Sequence, residues 1–129
     1  KVNAVEAWLY LNGEHVDHEE FVADGITRVE GLENEGLAQV ALPSSMQTLT
    51  FGYAFNKSLE QVNLPNNLQT LTFGHRFNQS LEHVILPSRL QTLTFGHGFN
   101  QSLEQVNLPN NLQTLTFGHR FNQSLEHVI

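Results

Sequence analysis

Seven histidines, three of them in strict register, are the residues of this chain with the most chemistry to offer. His75, His97 and His119 recur at one spacing with Tyr53 at the head of the row, and His83 and His127 alternate with Gln61 and Gln105 in a second row. If the segments carrying them stack as strands do, successive imidazoles lie ~5 Å apart, near enough in principle to share an ion. No acid stands beside them at a fixed spacing as a common co-ligand, and the second row is broken at every other copy. Solvated surface histidine is therefore the favoured reading. His15-Val16-Asp17-His18-Glu19-Glu20 also gathers liganding groups, and a solvated acidic loop is its default. Neither a metal nor another cofactor is expected.

The carboxylates point away from catalysis. Glu60, Glu82, Glu104 and Glu126 form one row in equivalent settings, whereas an acid–base pair needs two carboxylates in unlike environments. The chain holds no GxSxG, P-loop, HExxH or dinucleotide fingerprint. It is not expected to be an enzyme. Four Asn-x-Ser triplets, starting at Asn56, Asn78, Asn100 and Asn122, would be glycan acceptors in a eukaryotic secretory pathway. Each Asn follows a Phe in every copy. An internal ladder, with each side chain satisfying backbone groups of the neighbouring coil, is the stronger reading.

The most uniform polar phrase is Gln-Thr-Leu-Thr, with Gln at 47, 69, 91 and 113. Its threonines are Thr48, Thr50, Thr70, Thr72, Thr92, Thr94, Thr114 and Thr116. Thr70 and Thr72 flank an inward Leu71, so stacking would give two threonine columns with rungs ~4.8 Å apart and columns ~7 Å apart. Such an array resembles the ice-binding face of β-solenoid antifreeze proteins. It is also what a good strand-forming residue does in a cross-strand ladder.

These rows exist because residues 42–129 are four copies of one 22-residue unit, at 42–63, 64–85, 86–107 and 108–129, the second and fourth identical. A fixed period of this length marks a solenoid, since one unit cannot bury its apolar face alone. Each unit carries two apolar phrases, Leu59-x-x-Val62-x-Leu64-Pro65 and Leu68-x-x-Leu71-x-Phe73-Gly74, each ending in alternation and a turn residue. The expected coil has about two short strands joined by tight corners, with no room for a helix. Leu, Val and the two Phe rows (Phe51/73/95/117 and Phe55/77/99/121) should form the core.

Upstream, Gly36–Pro43 echoes Ser58–Pro65, and Ile26-Thr27-Arg28-Val29 looks like a degenerate second phrase, so 26–41 is read as a degenerate, shortened first coil. Residues 1–25 fit no repeat and are read as an N-terminal cap, with a strand at Ala7–Leu11, a turn at Asn12-Gly13, and Trp8, Tyr10, Phe21 and Val22 sealing the core. No cap follows Ile129, which makes self-association through the C-terminal coil an expectation. The chain starts at Lys1, so a leader could precede it.

Composition narrows the function. There is no cysteine, which removes disulfides and thiolate chemistry. No apolar run approaches the ~18–20 residues of a membrane span. The net charge of −7 resides in residues 1–41, whereas 42–129 carry four Glu against four Lys or Arg. Without a basic stripe, nucleic-acid binding is not expected.

The phrases LPxxLQTLTFG and FNQSLExV resemble the FNIP repeat family, a 22-residue relative of leucine-rich repeats. Copy one also looks like the BspA-like leucine-rich repeats of bacterial surfaces. The resemblance implies a mainly β, right-handed parallel solenoid or leucine-rich-repeat-like horseshoe, and a role in protein interaction. It brings no catalytic residues. One departure is the Ser at 58, 80, 102 and 124, where the family usually has Pro.

The leading expectation is a scaffold for a protein partner. Its interaction face would comprise the eight threonines together with the positions that vary between copies: Gln61, His83 and Gln105; Asn63, Ile85 and Asn107; and Ala54, Arg76, Gly98 and Arg120. A self-assembling structural solenoid and an ice-binding protein are the alternatives. A cytoplasmic location is the lean from absent cysteine and structural Asn-x-Ser.

Overall fold

Each Thr-Leu-Thr phrase becomes a strand, and the coils stack them into one sheet. The computed structural model describes residues 26–29, 44, 46–51, 53 and 55–128. The N-terminal cap expected over 1–25, with its His15–Glu20 cluster, and the echo at 36–43 lie outside the described residues. Five strands follow in chain order: β1 (Ile26–Val29), β2 (Thr48–Phe51), β3 (Thr70–Thr72), β4 (Thr92–Thr94) and β5 (Thr114–Thr116). They form a parallel sheet in the order β1-β2-β3-β4-β5. The register pairs Thr48 with Thr70, Thr92 and Thr114, so each coil repeats the last without slip. Ile26 pairs with Thr48, one full period upstream.

Strand formation follows the alternation of the phrase. Leu49, Leu71 and Leu93 are fully buried, while the threonines on either side face outward. The pairing extends past the strand ends: the Gln69 and Thr70 N–H groups both donate to Gln47 O, at 2.8 and 3.0 Å, and Phe73 N–H donates to Thr94 O at 2.8 Å.

The first of the two phrases, Leu59-x-x-Val62-x-Leu64, turns where a strand was expected, so the coil has one strand. Val62 N–H donates to Leu59 O at 3.0 Å, and Val84 and Val106 repeat the turn. The reason lies in spacing. Leu59 and Val62 are three residues apart and both enter the core, and a three-residue return needs a turn, since strand alternation would put them on opposite faces. Ser58 Oγ reinforces it by accepting the Glu60 N–H at 3.2 Å, with Ser80, Ser102 and Ser124 acting alike.

The core is a stack of equal layers. Phe51, Phe73, Phe95 and Phe117 follow one another at ring-centroid distances of 5.3, 5.5 and 5.8 Å, and the second Phe row at 6.1 Å per rung. Within a coil the two rings lie 3.8–4.3 Å apart. Each Phe therefore stacks both along the solenoid and within its own layer, which adds ring-pair attraction to the area buried.

Glycine sets how closely the layers meet. A Cβ on Gly96 would lie 2.2 Å from Gly74 O, and one on Gly118 would lie 2.3 Å from Gly96 O. The glycine that ends the strand phrase is thus a close-approach residue between coils as well as a turn residue.

Candidate interaction face

Two threonine columns cover the solvent side of the sheet. Thr48, Thr70, Thr92 and Thr114 form one, and Thr50, Thr72, Thr94 and Thr116 the other, each in register across β2 to β5. Those on β2, β3 and β4 are half-buried, and those on the edge strand β5 are exposed. The strands β2 to β5 carry no charged residue.

The other expected face residues do not join them. Gln61, His83 and Gln105, and Asn63, Ile85 and Asn107, are exposed on the return run. Leu71 from the strand and Val84 from the return run enter one core from two sides. Their outward neighbours therefore face opposite sides of the coil. The single face expected from sequence divides into a threonine sheet and a separate return-run surface. On the latter, Ile85 is 88% exposed, and His83 and His127 lie 3.9 and 3.4 Å from Glu82 and Glu126. Exposed pairs of this kind contribute little.

The first histidine row is an aromatic ladder. Tyr53 stacks on His75 at 4.6 Å and His75 on His97 at 4.7 Å, with planes within 13° and 2°. His97 meets His119 at 5.4 Å, tilted by 45°. Backbone bonds space the rungs: Arg76, Gly98 and Arg120 N–H groups donate to the carbonyls of Tyr53, His75 and His97 at 3.0, 2.9 and 3.1 Å. Parallel stacked imidazoles hold their nitrogen lone pairs in parallel planes, so these do not converge on one ion. Among the described residues no group of three or more His, Asp or Glu is placed to hold a metal ion. Partial desolvation, then the charges of His75, Arg120 and His119, hold the His97 imidazole below the ordinary histidine value. Arg76 lies over the Tyr53 ring, its Cζ 5.7 Å from the centroid.

An asparagine ladder joins the coils beside the second Phe row. Asn56, Asn78 and Asn100 each accept, through Oδ1, the backbone N–H of the Asn one coil on, at 2.8, 2.9 and 2.8 Å. Gln79, Gln101 and Gln123 add an Nε2 bond to the same oxygens at 3.0 Å. The ladder was expected inside the stack, but it runs along the surface, with Asn56, Asn78 and Asn122 exposed. The bonds engage Oδ1 and the backbone, which leaves the side of each amide open to solvent.

Three devices escaped sequence reading. The Ser turns are one and the glycine approach another. The third is a corner interlock that alternates with the copies: Asn67 and Asn111 Nδ2 donate to Ser44 O and Ser88 O at 3.0 and 3.1 Å, and Arg89 donates to Asn67 Oδ1 at 2.8 Å. The alternation of LPNN with LPSS and LPSR was the available signal. At coil four the core thins. Leu108, Leu112, Leu115, Leu125 and Val128 line an apolar hollow of about 390 Å³.

A sequence profile of the FNIP Repeat matches residues 55–98 and 99–129, more than half of the chain. The chain belongs to the FNIP repeat family. A solved structure described as CroV588, a novel circular LRR protein, is similar over 77% of this chain at 41% identity and a TM-score of 0.66. The chain covers 15% of the length of that protein. No curated protein matches it. The FNIP coil is thus a leucine-rich-repeat-like unit with one parallel strand. Among the described residues no helix is long and apolar enough to cross a membrane.

Proposed function

We propose that this FNIP array is a non-enzymatic scaffold that holds a protein partner against its threonine sheet. The supporting observation is the pair of uncharged threonine columns kept in register across four strands, over a leucine row that is fully buried on β2 to β4. Such a surface is ordered before binding, so a partner meets few side chains that must be immobilised. Two columns over four rungs span on the order of 200 Å². A stable interface needs ~800 Å² on each side. The partner must therefore reach past the threonines to the glutamine row before the strands and the aromatic ladder after them.

The test uses a partner purified on the immobilised array. Thr72→Lys with Thr94→Lys places two desolvated charges in the contact and should weaken binding at least ~10-fold, with thermal unfolding unchanged. Unaltered affinity in a folded double variant would refute the reading.

The same columns favour a second reading, an ordered surface for ice, through their rung spacing of ~4.8 Å. Thermal hysteresis that disappears in the same double variant would support it, and absence of hysteresis in the parent protein would end it.

A further inference from the structure

The strands' C-terminal ends lead directly into the aromatic ladder, three residues beyond Thr72 and Thr94. We propose that Tyr53, His75, His97 and His119, with Arg76 and Arg120, form a recognition ridge for an extended acidic segment of the protein partner; this rests on the scaffold reading above.

The sign of the local charge argues for it. The charged neighbours acting on His97 are His75, Arg120 and His119, all cationic or capable of becoming so. The Arg76 guanidinium lies over a tyrosine ring. The ion pairs among the described residues, His83 with Glu82 and His127 with Glu126, belong to the return run on the other side of the core. The ridge thus carries positive charge without a carboxylate of its own among the described residues.

Shape argues for it as well. Face-to-face stacking at 4.6 and 4.7 Å occupies the ring faces and leaves the imidazole edges, which bear the N–H donors, along the rim. Arg76 and Arg120 stand two coils apart, ~10 Å, with Gly98 between them in the same column. No side chain stands between the two arginines at Gly98, and each guanidinium is able to take a carboxylate in bidentate fashion. Two permanent cations suit a short acidic peptide. Charge-held nucleic acid gains affinity with each phosphate neutralised, and two cations neutralise few.

Binding must then be linked to protonation. A carboxylate at the rim favours charged imidazolium, so the segment should bind more tightly as pH falls from about 7.5 to about 6, while its own carboxyls stay ionised.

The experiment measures fluorescence anisotropy of a labelled peptide of alternating Glu and Gly, against its Gln-Gly counterpart, with the full chain at these two pH values. The expected result is selective binding of the Glu peptide, ~10-fold tighter at the lower pH and weakened by salt. Arg76→Gln with Arg120→Gln should weaken it ~10-fold. This variant is expected to fold, because Ala54 and Gly98 occupy the same column. His75→Gln with His97→Gln should flatten the pH dependence while leaving a basal affinity. Equal binding of the Gln peptide, pH-independent binding, or indifference to the Arg substitutions would overturn the proposal. So would a dimer that excludes the peptide, since the acidic residues 1–41 of a second copy would then be the occupant. If the Glu peptide fails while the purified partner still depends on Thr72 and Thr94, the ridge proposal falls and the scaffold stands.

Discussion

Asn78 Oδ1 accepts two hydrogen bonds from the next coil, from Asn100 N–H at 2.9 Å and from Gln101 Nε2 at 3.0 Å. One side-chain oxygen thus satisfies a backbone donor and fixes a side chain across the coil boundary. Removing it in Asn78→Ala leaves the Asn100 N–H to water at this surface position, a cost of about 0.5–1.5 kcal/mol. Asn78→Asp keeps an acceptor at the same place and should lose less. Urea unfolding of the two variants checks the order, and equal losses would show that the ladder contributes nothing specific.

Gly96 and Gly98 are two residues apart and should answer differently to alanine. A Cβ at Gly96 would lie 2.2 Å from one backbone atom and 2.6 Å from another, whereas at Gly98 the nearest contact is 2.8 Å with the next at 3.8 Å. Arginine already occupies the Gly98 column in the neighbouring coils. Gly96→Ala is expected to cost about 3 kcal/mol, and Gly98→Ala well under half of that. Thermal unfolding decides it, and similar shifts would contradict the close-approach role of Gly96.

Stability should fall in acid by way of His97. Its folded value is depressed, so the unfolded chain takes up the proton more readily. The contribution is fully present above about pH 6.5, the unfolded value, and is lost as pH falls through the lower folded value. Urea midpoints measured from pH 7.5 to about pH 5 should decline less steeply in His97→Gln than in the parent. A parallel decline would place the acid sensitivity elsewhere.

The period and its letters made much of this legible. Leu71, Phe73 and Phe77 recur at one spacing, and only an inward stack accommodates large apolar residues at every turn. The threonine columns followed from Thr70 and Thr72 flanking Leu71. The turn in the return run is hidden in the sequence: Leu59 and Val62 lie three apart, a turn spacing that the following alternation at Leu64 obscures. The separation of His83 and Ile85 from the threonines is equally hidden, since a linear sequence does not show which side of the core a run occupies. The histidine ladder was visible as a register, but its face-to-face stacking depends on side-chain rotation, which spacing does not encode. The glycine approach and the Arg89–Asn67 bond are contacts between coils, set by how closely the layers pack.

Site-specific photo-crosslinking tests the sheet face most directly. A crosslinking side chain placed in turn at Thr72, at Thr94 and at Ile85 is irradiated with the purified partner. Saturable adducts at positions 72 and 94, with none at 85, are the expected result, since the two surfaces lie on opposite sides of the core. Adducts confined to position 85 would contradict a partner held on the threonine sheet.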